Sequence, residues 1–498
     1  MSEMVEIVIY PEVRLGKVNG YVYSHFAEHL GRCIYGGIWV GKDSKIENNQ
    51  GIRCDTVEAL RKLALPALRW PGGCFADSYH WMDGIGPADQ RPKRHNLWWH
   101  QPETNQFGTD EFMQLCRMID SEPYICLNVG SGTVEEAQRW VEYCNSDQPT
   151  SVVKQRHSNG YPEPYDVKFW GIGNENWGCG GHMRPEYYAD LYRRFATYVR
   201  KTTKERAKLI ACGSHGRIPE WDERFLEAMK GALTLVDYIA LHIYSGGGSH
   251  DISFTDEDYY RLIASIDVMD KNLARAGGLV QAYSSYGHPI GVVLDEWGTG
   301  YEEAKVTTGL YQQNTMRDAL FTAASFHCFH RHADNLFMTN MAQTVNVLQA
   351  LILTKGPEMI VTPTYYVYEM FRSHRNGQLV AFNVNAPLLK LPEDQEQKAV
   401  SVSATRSENN NELFLSIVNL DLQKDFTGNI RVSGENRCKI KQVRRLATKD
   451  IHAHNSFEEP KRVYPEEVFL EGKKEQNVLE LPRQSIMTLR IEITHSSS

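Results

Sequence analysis

The chain has 498 residues and a net charge of −8, with 42 % hydrophobic and 23 % charged residues. That is more chain than one small core holds, so its length calls for two domains. The acidic balance argues against a nucleic-acid or anionic-membrane partner, since both need a basic face. No apolar run approaches the roughly 20 residues of a membrane span.

The opening MSEMVEIVIYPEV has neither the basic n-region nor the apolar h-region of a secretory leader, which points to a cytoplasmic protein. Its alternating segment VEIVIYPEVRL (5–15) predicts a strand that joins a later sheet domain rather than the fold that follows it. The first division is therefore 1–16.

Between residues 17 and 375, short apolar strands alternate with amphipathic helices. The predicted strands are 20–29, 66–70, 124–132, 167–176, 208–216, 236–245, 290–297 and 333–340, with helices such as 134–145, 184–201 and 311–326 between them. Eight alternations in this length fit an α/β class (β/α)8 TIM barrel. A doubly wound open sheet would want a glycine-rich phosphate turn after the first strand, and there is none. After residue 376 the texture changes to alternating segments separated by polar turns, as in AVSVSATR (399–406), ELFLSIVNL (412–420), NIRVSG (429–434) and SIMTLRIEI (485–493). That pattern predicts an antiparallel β-sandwich, jelly-roll-like, over 376–498.

Ten cysteines are scattered at 33, 54, 74, 116, 126, 144, 179, 212, 328 and 438, without a CxxC pair. They read as reduced thiols. His182 follows Cys179 by three residues, but two ligands do not make a zinc site, so neither metal nor cofactor is expected.

In a (β/α)8 barrel the chemistry sits at the C-terminal strand ends. The fourth strand ends in Gly173-Asn174-Glu175-Asn176-Trp177 and the seventh in Leu294-Asp295-Glu296-Trp297. Three strands apart around a ring of eight, Glu175 and Glu296 face each other across the mouth. Two facing carboxyls are what glycoside hydrolysis requires: one protonates the leaving oxygen and the other attacks the sugar or activates water. Plentiful aromatics, 10 Trp and 25 Tyr, suit apolar sugar faces, although most are expected in the core.

Long segments carry a resemblance. FWGIGNENWGCGGHMRPEYYADLYRRF (169–195) resembles the acid/base segment of glycoside hydrolase family 51, the clan A intracellular α-L-arabinofuranosidases, and VVLDEWGTG (292–300) resembles its nucleophile segment. HFAEHLGRCIYGGIWVG (25–41), LRWPGGCFADSYHWMDGIGP (68–87), ALHIYS (240–245) and VNVLQALILT (345–354) are similar to further motifs of the same family. The resemblance implies that Glu175 is the general acid/base and Glu296 the nucleophile. It implies that Asn174 bonds the sugar 2-hydroxyl, Glu28 and Gln349 other hydroxyls, and that Arg69 and Tyr244 hold Glu296. Cys74 would line the pocket floor and Trp297 would border the pocket. Trp98 and Trp99, adjacent in the polar loop HNLWWHQPET, read as a substrate wall for which one of the two is enough. His242 shares a strand face with Tyr244 and reads equally as a pocket residue or a satisfied core histidine. The stretch Gly298-Thr299-Gly300-Tyr301 departs from the family pattern, which has an aromatic residue soon after the nucleophile tryptophan. Gly300 removes one possible wall.

The implied activity is exo-acting, retaining release of terminal α-L-arabinofuranosyl groups from arabinan or arabinoxylan oligosaccharides, by a homohexamer built as a trimer of dimers. Other specificities on the same machinery stay open: endo-β-1,4-glucanase, β-xylosidase or galactofuranosidase. So does a non-catalytic carbohydrate-binding protein, against which the retention of both acids argues.

Overall fold

The computed structural model describes residues 3–203, 207–284, 288–408, 412–434, 437–469 and 477–494. Eight parallel strands close a barrel: Ser24–Phe26, Ala67–Trp70, Glu122–Leu127, Phe169–Ile172, Lys208–Ala211, Tyr238–Ser245, Gly291–Thr299 and Leu336–Met341. Each falls on a segment anticipated from its apolar run. The first is shorter than expected, because Gly20–Tyr23 forms a 3-10 turn that the Asn19 side chain caps by accepting from the Tyr21 N–H.

The barrel interior is packed, not open. Ala67, Tyr124, Phe169, Ile210, Ala240, Val293 and Met338 fill one layer. Two positions further along their strands, on the same inward face, stand Arg69, Cys126 and Gly171. The interior thus turns from apolar to polar as the strands approach their C-terminal ends.

The seventh strand carries the irregularity that matters most. Leu294 pairs with Leu241, but the next pair is Glu296 with His242, so Asp295 is an extra residue. A bulge re-aims side chains that strict alternation would send to opposite faces. Here Asp295 points to Tyr124 and Asn340 inside the barrel, while Glu296 still reaches the mouth.

The second domain is built on a nine-stranded sheet. Its order is Glu466–Glu467, Arg437–Ala447, Ser485–Thr494, Glu412–Asn419, Val400–Arg406, Gln378–Asn385, Glu3–Lys17, Phe426–Val432 and Val478–Leu481. The chain's first strand lies inside this sheet. It runs antiparallel to Gln378–Asn385 and parallel to Phe426–Val432, so the expectation of a wholly antiparallel domain is corrected at this one pair. The two flanking strands run in opposite senses, and a strand inserted between them must be parallel to one.

The domains meet along the helix Met316–Arg331, whose residues 316–330 are all buried. His327 and His330, three apart on one helix face, reach Ser401, Ser403 and Ser416 of the sheet at 2.7–2.8 Å. His374 bonds Thr405 at 2.8 Å. Ser401, Ser403 and Thr405 alternate along one strand and so present their hydroxyls on a single face.

Candidate active site

Five strand ends build the mouth, the first, second, fourth, sixth and seventh. The second strand supplies Arg69, fully buried, whose guanidinium is divided among three partners. Nη1 donates to Glu296 Oε1 at 2.8 Å, Nη2 to Asn174 Oδ1 at 2.6 Å, and Nε lies 3.2 Å from Asp295 Oδ2. The sixth strand supplies Tyr244, whose hydroxyl donates to Glu296 Oε2 at 2.8 Å, and His242, whose Nδ1 lies 2.9 Å from Glu175 Oε1 and 3.6 Å from Glu296 Oε2. His242 is therefore no bland core residue: it stands between the two acids.

Burial alone would push the Glu296 carboxyl up, since a charge loses hydration there. The charges of His242 and Arg69 and the hydrogen bonds from Arg69 and Tyr244 outweigh it and hold Glu296 below the usual carboxylate range. The same carboxylates raise His242, against the burial that opposes its charge.

Glu175 sits on a backbone turn of unusual shape. Gly173 has φ +80° and Glu175 itself φ +44°, a left-handed conformation uncommon for a residue with a Cβ. Such strain persists only where surroundings dictate it, and it concentrates at functional sites. One oxygen of Glu175 and one of Glu296 lie within 4.8 Å of each other.

Glu28, from the end of the first strand, forms the buried end of the pocket. Its Oε1 accepts from the Phe75 N–H and from Trp99 Nε1, both at 3.1 Å, and its Oε2 from Gln343 Nε2 at 2.8 Å. Burial and the nearby Glu296 charge push its carboxyl up to about 7, against those three donors. Gly72 and Gly73 let the main chain pass close to both acids. A Cβ on Gly72 would stand 2.4 Å from Glu28 Cγ, and one on Gly73 2.7 Å from Glu296 Oε1. The cavity holds about 490 Å³ and is bordered by these groups together with Arg217, Tyr301, Leu310 and Leu348.

Cys74 borders the cavity as the resemblance implied, but it and several other residues differ in state or place from what the sequence suggested. Cys74 is not a free thiol: it is disulfide-bonded to Cys179, and the two sulfurs lie 3.9 and 3.5 Å from Glu175 Oε2. The expectation of ten reduced cysteines is thus corrected at this pair; the other eight are free. The loops after the second and fourth strands meet at the mouth, which a separation of 105 residues conceals.

Gln349 does not face the pocket. Its Oε1 accepts from the Thr299 N–H and its Nε2 donates to Asp318 O and Thr322 Oγ1, so it braces the wall from behind. Gln343, six residues earlier, takes the pocket position. Trp297 is also a core residue: Nε1 donates to Thr339 Oγ1, and the ring packs on Phe326 and Phe329. Of the tandem tryptophans, Trp99 borders the cavity and Trp98 does not. Tyr301, behind Gly300, closes part of the wall that the glycine opens, fixed by a bond from its hydroxyl to Asp318.

As a cation site the cluster Glu175, His242 and Glu296 is ill-suited, because Arg69 already supplies positive charge to Glu296 and His242 is bonded to Glu175. Cys179 offers no thiolate beside His182, since its sulfur is tied to Cys74.

Two carboxyls flanking one imidazole, Glu175 hydrogen-bonded to it and Glu296 3.6 Å away and kept ionised by a guanidinium, above a (β/α)8 barrel, define the chain as a glycoside hydrolase. Family models for the α-L-arabinofuranosidase 1 domain and the α-L-arabinofuranosidase C-terminal domain match residues 59–260 and 295–485. An intracellular exo-α-L-arabinofuranosidase of Bacteroides ovatus is 41 % identical over 95 % of this chain and 92 % of its own. The crystal structure of a family 51 arabinofuranosidase from Xanthomonas axonopodis pv. citri superposes with TM-score 0.92 at 33 % identity, covering 99 % of this chain and all of that one. An α-L-arabinofuranosidase from Thermotoga maritima, solved with arabinose, gives 0.86 at 32 % identity over 98 % of this chain and all of that one. The chain belongs to glycoside hydrolase family 51, the α-L-arabinofuranosidases.

Proposed function

We propose that the enzyme removes terminal non-reducing α-L-arabinofuranosyl groups from arabinose-containing oligosaccharides, such as those of arabinan and arabinoxylan, with retention of anomeric configuration. The observation that carries this reading is the unequal treatment of two close carboxyls. Glu296 is held ionised by Arg69, His242 and Tyr244, while Glu175 has no guanidinium partner among the described residues. Retaining enzymes keep the two carboxyls about 5–5.5 Å apart, against about 6.5–9.5 Å where a water must fit between acid and sugar. An oxygen–oxygen approach within 4.8 Å supports the shorter class.

In the first step Glu296 attacks the anomeric carbon as Glu175 gives its proton to the departing oxygen. The bond to the aglycone breaks and a glycosyl ester to Glu296 forms. In the second, Glu175, now a carboxylate, takes a proton from water, whose oxygen displaces Glu296. Glu28, Asn174, Gln343 and Trp99 are the groups placed to hold the ring hydroxyls. The intracellular setting and the trimer-of-dimers hexamer implied by the family resemblance belong to the same proposal. The name of the Bacteroides ovatus relative supports the first of these.

Kinetics on aryl arabinofuranoside, xyloside, galactofuranoside and glucoside, with NMR of the first-formed anomer, test the reading. Arabinofuranoside turnover with a retained product is expected; an inverted product, or a preferred galactofuranoside, refutes it. Glu296→Ala is expected to lower turnover by about 10⁴-fold or more, with no retained product restored by azide.

A further inference from the structure

Asp77 has no place in the reaction described above, yet both of its carboxylate oxygens are fully engaged beside the site. It is 4 % exposed and lies in the short 3-10 turn Cys74–Ser78 that follows the second barrel strand. Its Oδ1 accepts from the Val129 N–H at 2.7 Å and the Gly130 N–H at 2.8 Å, at the end of the third strand. Its Oδ2 accepts from the Asn174 N–H at 2.8 Å and from Asn176 Nδ2 at 3.2 Å, on either side of Glu175. Among the described residues no cation pairs with it. Four N–H donors fill its two oxygens, two on each, with no guanidinium or ammonium among them.

The surroundings are shaped for it. A Cβ on Gly180 would stand 2.5 Å from Oδ2, and one on Gly130 2.8 Å from the Asp77 carbonyl oxygen. The turn it grips is the strained one, with Glu175 at φ +44°. A left-handed residue relaxes to ordinary backbone unless its neighbours are tied, and both neighbours of Glu175 are tied to the same oxygen.

We infer that Asp77 is a positioning residue for the acid step, holding the Asn174–Glu175–Asn176 turn so that Glu175 points at the departing oxygen. The inference rests on the acid/base role proposed for Glu175. It does not touch substrate; it acts through the two asparagines.

A purely structural role would weaken all substrates alike, whereas a misplaced acid hurts only those whose leaving oxygen needs a proton. The test is kcat/KM, which reports formation of the glycosyl ester, across arabinofuranosides from methyl to 2,4-dinitrophenyl, for the wild type, Asp77→Asn and Glu175→Ala. Asp77→Asn is expected to cost about 100-fold on the methyl glycoside and less than about fivefold on the dinitrophenyl one. Equal loss on both, or no loss on either, overturns the inference. Glu175→Ala separates the two readings: if it shows no leaving-group bias, the role of Glu175 is wrong; if it does and Asp77→Asn does not, only Asp77 is misassigned. Should Asp77→Asn not fold, Asn176→Ala removes one donor from Oδ2 and decides in its place. A bias of the same sense, about tenfold, supports the inference, and a uniform change or none overturns it.

Discussion

The barrel mouth and the seam between barrel and sheet both bury polar side chains, and they meet the cost of burial in opposite ways. At the mouth the charges are kept: Arg69 is spread over Asp295, Glu296 and Asn174, and Glu296 stays ionised. At the seam they are given up. Burial drives His327 and His330 well below the usual histidine range and His374 down to about 3, so neutral imidazoles meet serine and threonine hydroxyls. A neutral hydrogen bond satisfies a buried polar atom at little electrostatic cost, which is enough for a seam that only has to hold. The mouth keeps a costly charge that the proposed reaction uses, with Glu296 as its nucleophile.

Removing a charge at the mouth gives the largest expected effect. Arg69→Met leaves Asp295 and Glu296 buried without their cation, and breaking a buried pair in this way costs about 3–5 kcal/mol. Denaturant unfolding is expected to show that loss, and aryl arabinofuranoside turnover to fall with it. If the variant is as stable as the wild type, the mouth is not held by paired charge and the contrast with the seam collapses.

The seam is probed by pH. Below about 6.5 the unfolded chain protonates His374, while the folded one refuses the proton until about 3. Stability from this group is therefore complete above about 6.5 and is lost as pH falls from there toward 3, amounting to about 2 kcal/mol per histidine at pH 5. Glu28 and Asp77, each raised to about 7, work the other way: the fold keeps protons that the unfolded chain releases, so they favour the fold as pH falls through 7. Comparing wild type with His374→Leu removes that background. The variant is expected to lose less stability than the wild type between pH 6.5 and 5; parallel curves would show that the imidazole is not buried neutral.

How much of this was legible in the sequence followed the range of the interaction. The barrel strands are local apolar runs, and all eight were readable. Glu175 and Glu296 were readable as candidates because a strand end is itself a local feature. Contacts across the fold left no such mark. Cys74 and Cys179 are 105 residues apart, and the seam pairs His327 with Ser401 and Ser416. The strand Arg437–Ala447 hides its alternation under Lys and Arg. Nothing local marks Asp77, because its donors come from residues 52 to 99 positions further along the chain. Trp297 and Gln349 were misplaced for a subtler reason: nearness in sequence to the site does not say which way a side chain turns.

That last point sharpens the comparison over the shortest distance, six residues, and gives the smallest expected effect. Gln343→Ala takes away one of the three donors on Glu28, in a cavity the sugar must enter. It is expected to lower kcat/KM by roughly tenfold, or about 1.4 kcal/mol, and to leave the thermal midpoint almost unchanged. Gln349→Ala instead strands the Thr299 N–H behind the wall and takes a donor from the Asp318 carbonyl and the Thr322 hydroxyl. It is expected to cost about 1–2 kcal/mol of stability while KM holds steady. Melting curves and Michaelis parameters on the pair decide it. If Gln349→Ala raises KM while Gln343→Ala lowers only the melting temperature, the two glutamines have exchanged places, and the pocket end built on Glu28 and Gln343 is wrong.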